Sequence, residues 1–145
     1  MLTTADKAVL DESYKNTKAG KDTIHVVISK VEDEDLALDL NRQACKYMQL
    51  EEKVQKVYQE AGEKIPEDRM MDKTKNWGGI QMNTLLNAGT EHLAEIMIRG
   101  NTKGITELMK VVKANKDVRK EYYELAQEIM DFEEKNIEKL KAYLR

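Results

Sequence analysis

Two stretches decide the fold, LEEKVQKV at Leu50–Val57 and FEEKNIEKL at Phe132–Leu140, because they repeat one pattern of charged and apolar residues. When they are aligned, the match extends upstream in both halves of the chain. The matched positions are Leu36 with Val118, Leu40 with Tyr122, Ala44 with Ala126, Tyr47 with Ile129 and Met48 with Met130, and, after a slip of one residue, Ile24, Val27, Ile28 and Val31 with Ile105, Leu108, Met109 and Val112. The match indicates a duplicated helical hairpin. The alternative is an amphipathic pattern that the two halves share without a common origin.

Four long helices are predicted, because apolar residues recur three and four positions apart along four segments. The first begins at Thr3 or Thr4, with Thr4 as its N-cap, and ends before the acidic run VEDEDL. Gly62 stands where a left-handed residue would end the second helix. The other three helices are predicted at Leu36–Ala61, from Thr90 to the run KANKD, and at Asp117–Leu144.

The connections between these helices differ in length. The first and second helices are joined by a few residues, as are the third and fourth, and short links favour antiparallel neighbours. The link from Glu63 to Thr90 is several times longer and is predicted to contain one or two short helices. Its apolar part, the crossover Pro66–Thr90, either packs on the bundle, which we favour, or offers an oligomer contact. The side chains concerned include Met70, Met71, Trp77 and Met82.

Length and composition exclude several classes of protein. The 145 residues suit one domain, 1–145, and 24 basic against 27 acidic residues give a net charge of -3. A duplex-binding protein would carry a basic excess, so no nucleic-acid partner is expected. No apolar run approaches the length of a membrane span, and the N-terminus lacks a signal-peptide pattern. With Cys45 as the only cysteine, a soluble cytoplasmic protein is expected.

Three segments carry a resemblance to a known superfamily. SKVEDEDLALDLNRQACKYMQLEEKVQKVYQEAG resembles the second-helix region of small rubrerythrin-like proteins. HLAEIMIRGNTKGITELMKVV and LAQEIMDFEEKNIEKLKAYL resemble uncharacterised ferritin-like proteins of Firmicutes. The resemblance covers most of the chain. It implies an all-α, ferritin-like four-helix bundle, made of two antiparallel helical hairpins joined by a long, partly helical crossover.

The metal ligands that this resemblance implies are largely missing. Active relatives hold iron or manganese with one Glu from each of two helices and a Glu-x-x-His motif from each of the other two. Here the second and fourth helices read Glu51-x-x-Val54 and Glu133-x-x-Asn136, without histidine. The first and third helices have no glutamate at the expected places, which are occupied by Thr17, Gly20, Lys21, Gly100, Asn101 and Gly104. We therefore expect no metal, no cofactor and no oxidase or peroxidase chemistry.

An atypical iron or manganese site is the alternative. Asp22 and His25 have the three-residue spacing that places a carboxylate and an imidazole on one helix face. The full candidate set of ligands is Asp22, His25, Glu51, Glu107 and Glu133. Otherwise His25 is a boundary residue beside the apolar face. Cys45 is interpreted as a small half-buried residue rather than a reactive thiol, and His92 as part of a helix start.

The pair Gly100-x-x-x-Gly104 lies where relatives keep metal ligands, and it is predicted to let a facing helix approach closely. We hypothesise that the metal cavity has closed or has become a small pocket. The polar groups expected to remain in it are Asn101, Asn136 and Lys21.

These observations favour a metal-free bundle without enzyme activity, which acts as a homo-oligomer, for instance a dimer, or through a protein partner. A ferritin-like metal-binding protein is the second hypothesis. A small-ligand binder that uses the centre of the bundle is the third.

Overall fold

A computed structural model describes residues 1–66 and 89–144 of the chain. Within these residues, all regular structure is helical, as predicted. The four long helices are α1 (Thr4–Val27), α2 (Glu34–Ala61), α3 (Thr90–Ala114) and α4 (Lys120–Leu140), and short 3-10 turns follow α1 at Ile28–Lys30 and α4 at Lys141–Tyr143. No helix in the described ranges has an apolar stretch long enough to cross a bilayer. The predictions for the crossover, including Met70, Met71, Trp77 and Met82, fall outside the described residues.

The start of α1 corrects the predicted cap. Thr3, not Thr4, is the N-cap: its hydroxyl accepts a hydrogen bond from Asp6 N, and its own N–H donates to the Asp6 carboxylate, both at 3.0 Å. Moving the cap back by one residue puts an acid at the third helical position, where it completes a capping box. The predicted register placed Lys7 there, which has no acceptor for this role.

The start of α4 also differs from the prediction, since the helix begins at Lys120 rather than Asp117. A turn precedes it, closed by a bond from Val118 N to Asn115 O. Arg119 is then held by the buried Asp6, which accepts from Arg119 N at 3.0 Å and pairs with its Nε at 3.1 Å. This long-range contact, which local sequence does not reveal, fixes the point where α4 begins.

The limits of α2 and α3 agree closely with the prediction. The Asp33 side chain caps α2 by accepting from Leu36 N at 3.0 Å. At the other end Gly62 has φ +69°, the left-handed conformation expected of it, which lets Glu63 N donate to Tyr58 O. The third helix starts at Thr90 and ends within the run KANKD, as predicted.

The helices pack so that α1 contacts α2 most extensively and α3 contacts α4, with α1 also lying against α3 and α4. Three polar contacts mark the α1–α2 register: Lys7 with Glu63, Asp11 with Tyr58, and Lys21 with Glu51. The partners, from Glu63 just after α2 to Glu51 within it, therefore come from earlier in the sequence as α1 advances.

Two apolar clusters fill the interior. One contains Ile24, Val27, Leu36, Leu40, Leu93 and Met97, and the other contains Leu10, Leu50, Val54, Leu108, Ile129 and Met130. In α1, α3 and α4, buried polar or glycine residues separate the members of one cluster from those of the other along the helix. In α2 the two clusters are adjacent, and Tyr47 lies at the boundary between them. The interior of the bundle is thus divided by a polar layer.

Candidate functional site

The polar layer contains at least one buried side chain from each long helix. We call it the central polar layer, and its members are Asn16 from α1, Tyr47 from α2, Asn101 from α3, and Glu133 and Asn136 from α4. Each is at most 3% exposed. These residues occupy the inward positions of the apolar stripes, so helical periodicity brings them to one level of the bundle.

Glu133 is the centre of this layer. Asn16 Nδ2 donates to Glu133 Oε1 at 2.7 Å, and the Tyr47 hydroxyl lies 2.8 Å from Glu133 Oε2. The carboxyl group therefore bridges α1, α2 and α4. A buried carboxyl group needs such partners, because the free-energy cost of removing a polar group from water is offset only if it forms hydrogen bonds inside the protein.

The amide of Asn101 fixes the hydrogen-bonding pattern beside it. Its Nδ2 donates to the backbone oxygen of Met97 at 2.7 Å, so its Oδ1 faces the other way. That oxygen accepts from Asn136 Nδ2 at 3.0 Å and lies 2.9 Å from the Tyr47 hydroxyl oxygen. Turning the amide over would place two carbonyl oxygens in contact at Met97, so this orientation is the one that the network allows.

The hydrogen-bond contacts of Tyr47 favour a neutral Glu133. The Tyr47 oxygen is in hydrogen-bond contact with two oxygens, Asn101 Oδ1 and Glu133 Oε2, but its hydroxyl has one proton. If Glu133 carries a proton, it donates to Tyr47 and Tyr47 donates to Asn101, so both contacts are satisfied. If Glu133 is ionised, the Tyr47 hydroxyl donates its hydrogen bond to the carboxylate, and the Tyr47 oxygen then faces Asn101 Oδ1 at 2.9 Å without a proton between them.

The pKa values agree with this assignment. Burial raises the pKa of Glu133 to about 8, against the lowering effect of the hydrogen bonds from Asn16 and Tyr47. Burial also holds the pKa of Tyr47 well above its usual value, so the phenol keeps its proton. The layer is therefore neutral at pH 7.

Two glycines let the helices close around the layer. A Cβ atom at Gly104 would lie 2.5 Å from both Glu133 Oε2 and Asn16 Oδ1, and one at Gly20 would lie 2.4 Å from Tyr47 Cζ. Real Cβ contacts are not this short, so the space next to both helix backbones is filled by the layer. The predicted close approach at Gly104 is present, and the prediction did not anticipate the same role for Gly20.

The candidate metal ligands do not come together in one site, because three of them form ion pairs with different lysines. Asp22 pairs with Lys18 at 3.3 Å, Glu51 with Lys21 at 2.7 Å, and Glu107 with Lys110 at 3.6 Å. His25 is exposed in the last turn of α1 rather than beside the apolar face. Glu133 alone of the five lies in the central polar layer.

Other residues singled out in the sequence also have defined places. Cys45 is exposed on α2, which corrects the expected half-buried position. His92 lies in the first turn of α3, 3.8 Å from Glu95. Lys21 was expected in the centre but lies at its edge, where it pairs with Glu51. Asn101 and Asn136 are in the centre, as hypothesised.

The residues at the centre do not fit a pair of iron or manganese ions. Such a pair needs several carboxylates and imidazoles, whereas the layer offers one neutral carboxyl group, three amides and a phenol. Among residues 1–66 and 89–144, no three His, Cys, Asp or Glu side chains are grouped so that they could hold a metal ion. The arrangement can hold four helices in one register, but it presents no nucleophile or ionised base.

Sequence reasoning missed two members of the layer. Tyr47 belongs to an apolar stripe, and its hydroxyl group gave no separate signal. Asn16 was not noticed, although an amide on the inward face of a predicted helix, four residues before Gly20, could have marked it. Such a residue is rare in a core unless it has partners.

Comparisons with known proteins found no relative of this chain. No family model matches the chain, and neither a curated protein nor a solved structure does.

Proposed function

We propose that this protein is a ferritin-like four-helix bundle whose centre has become a metal-free structural layer, and that it acts through contacts with a second copy of itself. The ferritin-like topology rests on the sequence resemblance and on the order of the α1–α2 contacts. That order, from Lys7–Glu63 to Lys21–Glu51, suits an antiparallel hairpin. The pairs Gly104–Glu133 and Asn101–Asn136 suit a second one.

The observation that carries the metal-free assignment is the enclosure of Glu133. The resemblance implies a metal ligand at this position, but here the carboxyl group bonds Asn16 and Tyr47 and is covered by Gly104. A metal ion would have to displace a proton and both hydrogen bonds, and it would gain no second acid in return. Glu51, which occupies the equivalent place in the other half of the chain, is paired with Lys21.

Metal content tests this assignment directly. After growth with iron and manganese supplied, the untagged protein is expected to contain well below about 0.1 atom of either metal per chain by plasma mass spectrometry. About one or two atoms per chain, lost in a Glu51→Ala/Glu133→Ala variant, would contradict it and support the metal-binding alternative.

The outer face of α2 is the surface that best supports self-association. Leu38 and Met48 are 50% and 43% exposed, and the exposed Cys45 lies between them. These residues are seven and three positions apart, so they form one stripe along the helix. Covering this stripe with a second copy would remove its apolar surface from water.

The contact is tested by mass measurements over a range of concentrations. The unmodified chain is expected to reach twice the mass of one chain in light scattering after size-exclusion chromatography. Leu38→Glu/Met48→Glu is expected to weaken the dimer about tenfold or more, because it buries charge in the contact. Met109→Glu is the matched control, since Met109 is 41% exposed on α3, away from this stripe. A chain that stays monomeric at every concentration, or equal effects of both changes, would refute the proposed contact.

A further inference from the structure

Two buried polar side chains lie next to the central polar layer without joining it. Gln43 is 3% exposed and Thr23 is 2% exposed. Within the described part of the chain, Gln43 Nε2, Gln43 Oε1 and Thr23 Oγ1 have no hydrogen-bond partner. A complete side-chain amide without any partner is unusual in a native interior, where most buried polar atoms are bonded.

The helical register places these two side chains opposite each other. Gly20 on α1 touches the ring of Tyr47 on α2. Thr23 lies about one turn after Gly20, and Gln43 about one turn before Tyr47. Because the α1–α2 contacts run in opposite directions along the two helices, both steps lead toward the same end of the bundle. Thr23 and Gln43 therefore share one level of the α1–α2 interface.

The neighbouring helices bring apolar groups to this level. Met97 precedes Asn101 by one turn of α3, and Leu140 follows Asn136 by one turn of α4. Both are fully buried, as are Ile24 and Leu40 beside Thr23 and Gln43. This environment supplies no hydrogen bond to the amide. An unsatisfied buried polar group destabilises the folded state, so an apolar residue at position 43 would be favoured if the amide had no partner.

We propose that Thr23 and Gln43 form a buried binding site for an internal water molecule between α1 and α2. The amide offers two donors and two acceptor positions, and the hydroxyl offers a donor and an acceptor. A bound water molecule makes two to four hydrogen bonds and both donates and accepts, so it satisfies both side chains. Both are neutral, so the site selects a small neutral molecule rather than an ion. This inference does not depend on the proposed oligomer contact or on the absence of metal.

Water exchange provides the test. Oxygen-17 magnetic relaxation dispersion counts water molecules that stay bound for longer than the protein takes to tumble. The unmodified protein is expected to show a long-lived water signal that decreases by about one molecule in Gln43→Met and in Thr23→Val, which keep the side-chain volume and remove the polar atoms. Gln49→Met, on the exposed face of α2, is the matched control and is expected to leave the signal unchanged.

Equal signals in the unmodified protein and in Gln43→Met would overturn the proposal. If the variants do not fold, a crystal structure of the unmodified protein decides the question. Water density bonded to both Gln43 and Thr23 would support the site, and an amide bonded only to protein atoms would overturn it.

Discussion

The unmodified protein is expected to lose much of its stability between about pH 5 and pH 8, and Glu133→Gln is expected to remove this loss. The folded protein holds a proton on Glu133 up to about pH 8, whereas the unfolded chain releases it near the ordinary value of 4.5. Since the folded state binds more protons in this window, its stability is full below the unfolded pKa and is lost as the pH rises through the folded pKa. Raising the pKa from 4.5 to about 8 corresponds to a loss on the order of 5 kcal/mol.

Glutamine is the natural replacement because it has the shape of a protonated glutamate. Its amide can donate to Tyr47 and accept from Asn16, so the central polar layer keeps the pattern that the neutral acid makes. The variant is expected to match the unmodified protein near pH 5 and to exceed it clearly at pH 8. The free energy of unfolding in urea, measured at intervals across this range, checks both points.

The exposed Glu134→Gln is the control for the loss of one negative charge, since it changes the same residue type at the neighbouring position. Its stability profile is expected to follow that of the unmodified protein. Parallel profiles for the unmodified protein and Glu133→Gln would show that Glu133 is ionised in the folded state. The infrared carbonyl band of a protonated carboxylic acid at pH 7, absent from Glu133→Gln, gives an independent measure of the same proton.

Gly20→Ala is expected to destabilise the protein by about 2 kcal/mol, although alanine is the better helix former by about 1 kcal/mol. The new methyl group would lie 2.4 Å from Tyr47 Cζ and 2.7 Å from both Cε atoms. The ring cannot retreat without cost, because its hydroxyl group is bonded in the central polar layer and its edge packs on Phe132 with ring centroids 4.8 Å apart.

The control for this change is Gly89→Ala. A Cβ at Gly89 would meet no atom of the described residues within 4 Å, and its φ of -76° suits any residue. Its effect on the free energy of unfolding is expected to stay below about 1 kcal/mol, the ordinary cost at an N-cap. In a Tyr47→Leu background the cost of Gly20→Ala should also shrink, since the clash is removed. Equal costs for Gly20→Ala in both backgrounds would mean that the Tyr47 ring does not press on α1.

A closed, neutral centre has a consequence for how the protein acts. In the central polar layer Asn16, Tyr47, Asn101 and Glu133 bond one another across all four helices. Such a layer specifies helix register, because any axial slip would break several buried hydrogen bonds at once. The polar groups of the central polar layer are therefore used in contacts between helices. For this reason the proposed function is assigned to the surface of the bundle.

The sequence by itself determined the local features of this protein. The spacing of apolar residues located the four long helices of the described residues, and Gly62 marked the end of α2, because both signals depend on residues within a few turns of each other. The resemblance to ferritin-like proteins, not the apolar spacing, suggested Asn101, Asn136 and Lys21 for the centre; the two asparagines lie there, whereas Lys21 pairs with Glu51 outside the layer. The predicted start of α4 was wrong because the start is fixed by a hydrogen bond from Arg119 to Asp6, which is distant in sequence.

Only the tertiary structure decided the chemistry of the two repeated glutamates. Glu51 and Glu133 occupy the same place in LEEK and FEEK, and nothing local distinguishes them. Glu51 is also buried, at 6% exposure, but it meets Lys21 at 2.7 Å and forms an ion pair. Glu133 meets Asn16, Tyr47 and Gly104 in the interior and keeps its proton. The charge of a carboxyl group depends on its solvation and its partners, and these come from other helices that assemble only when the chain folds.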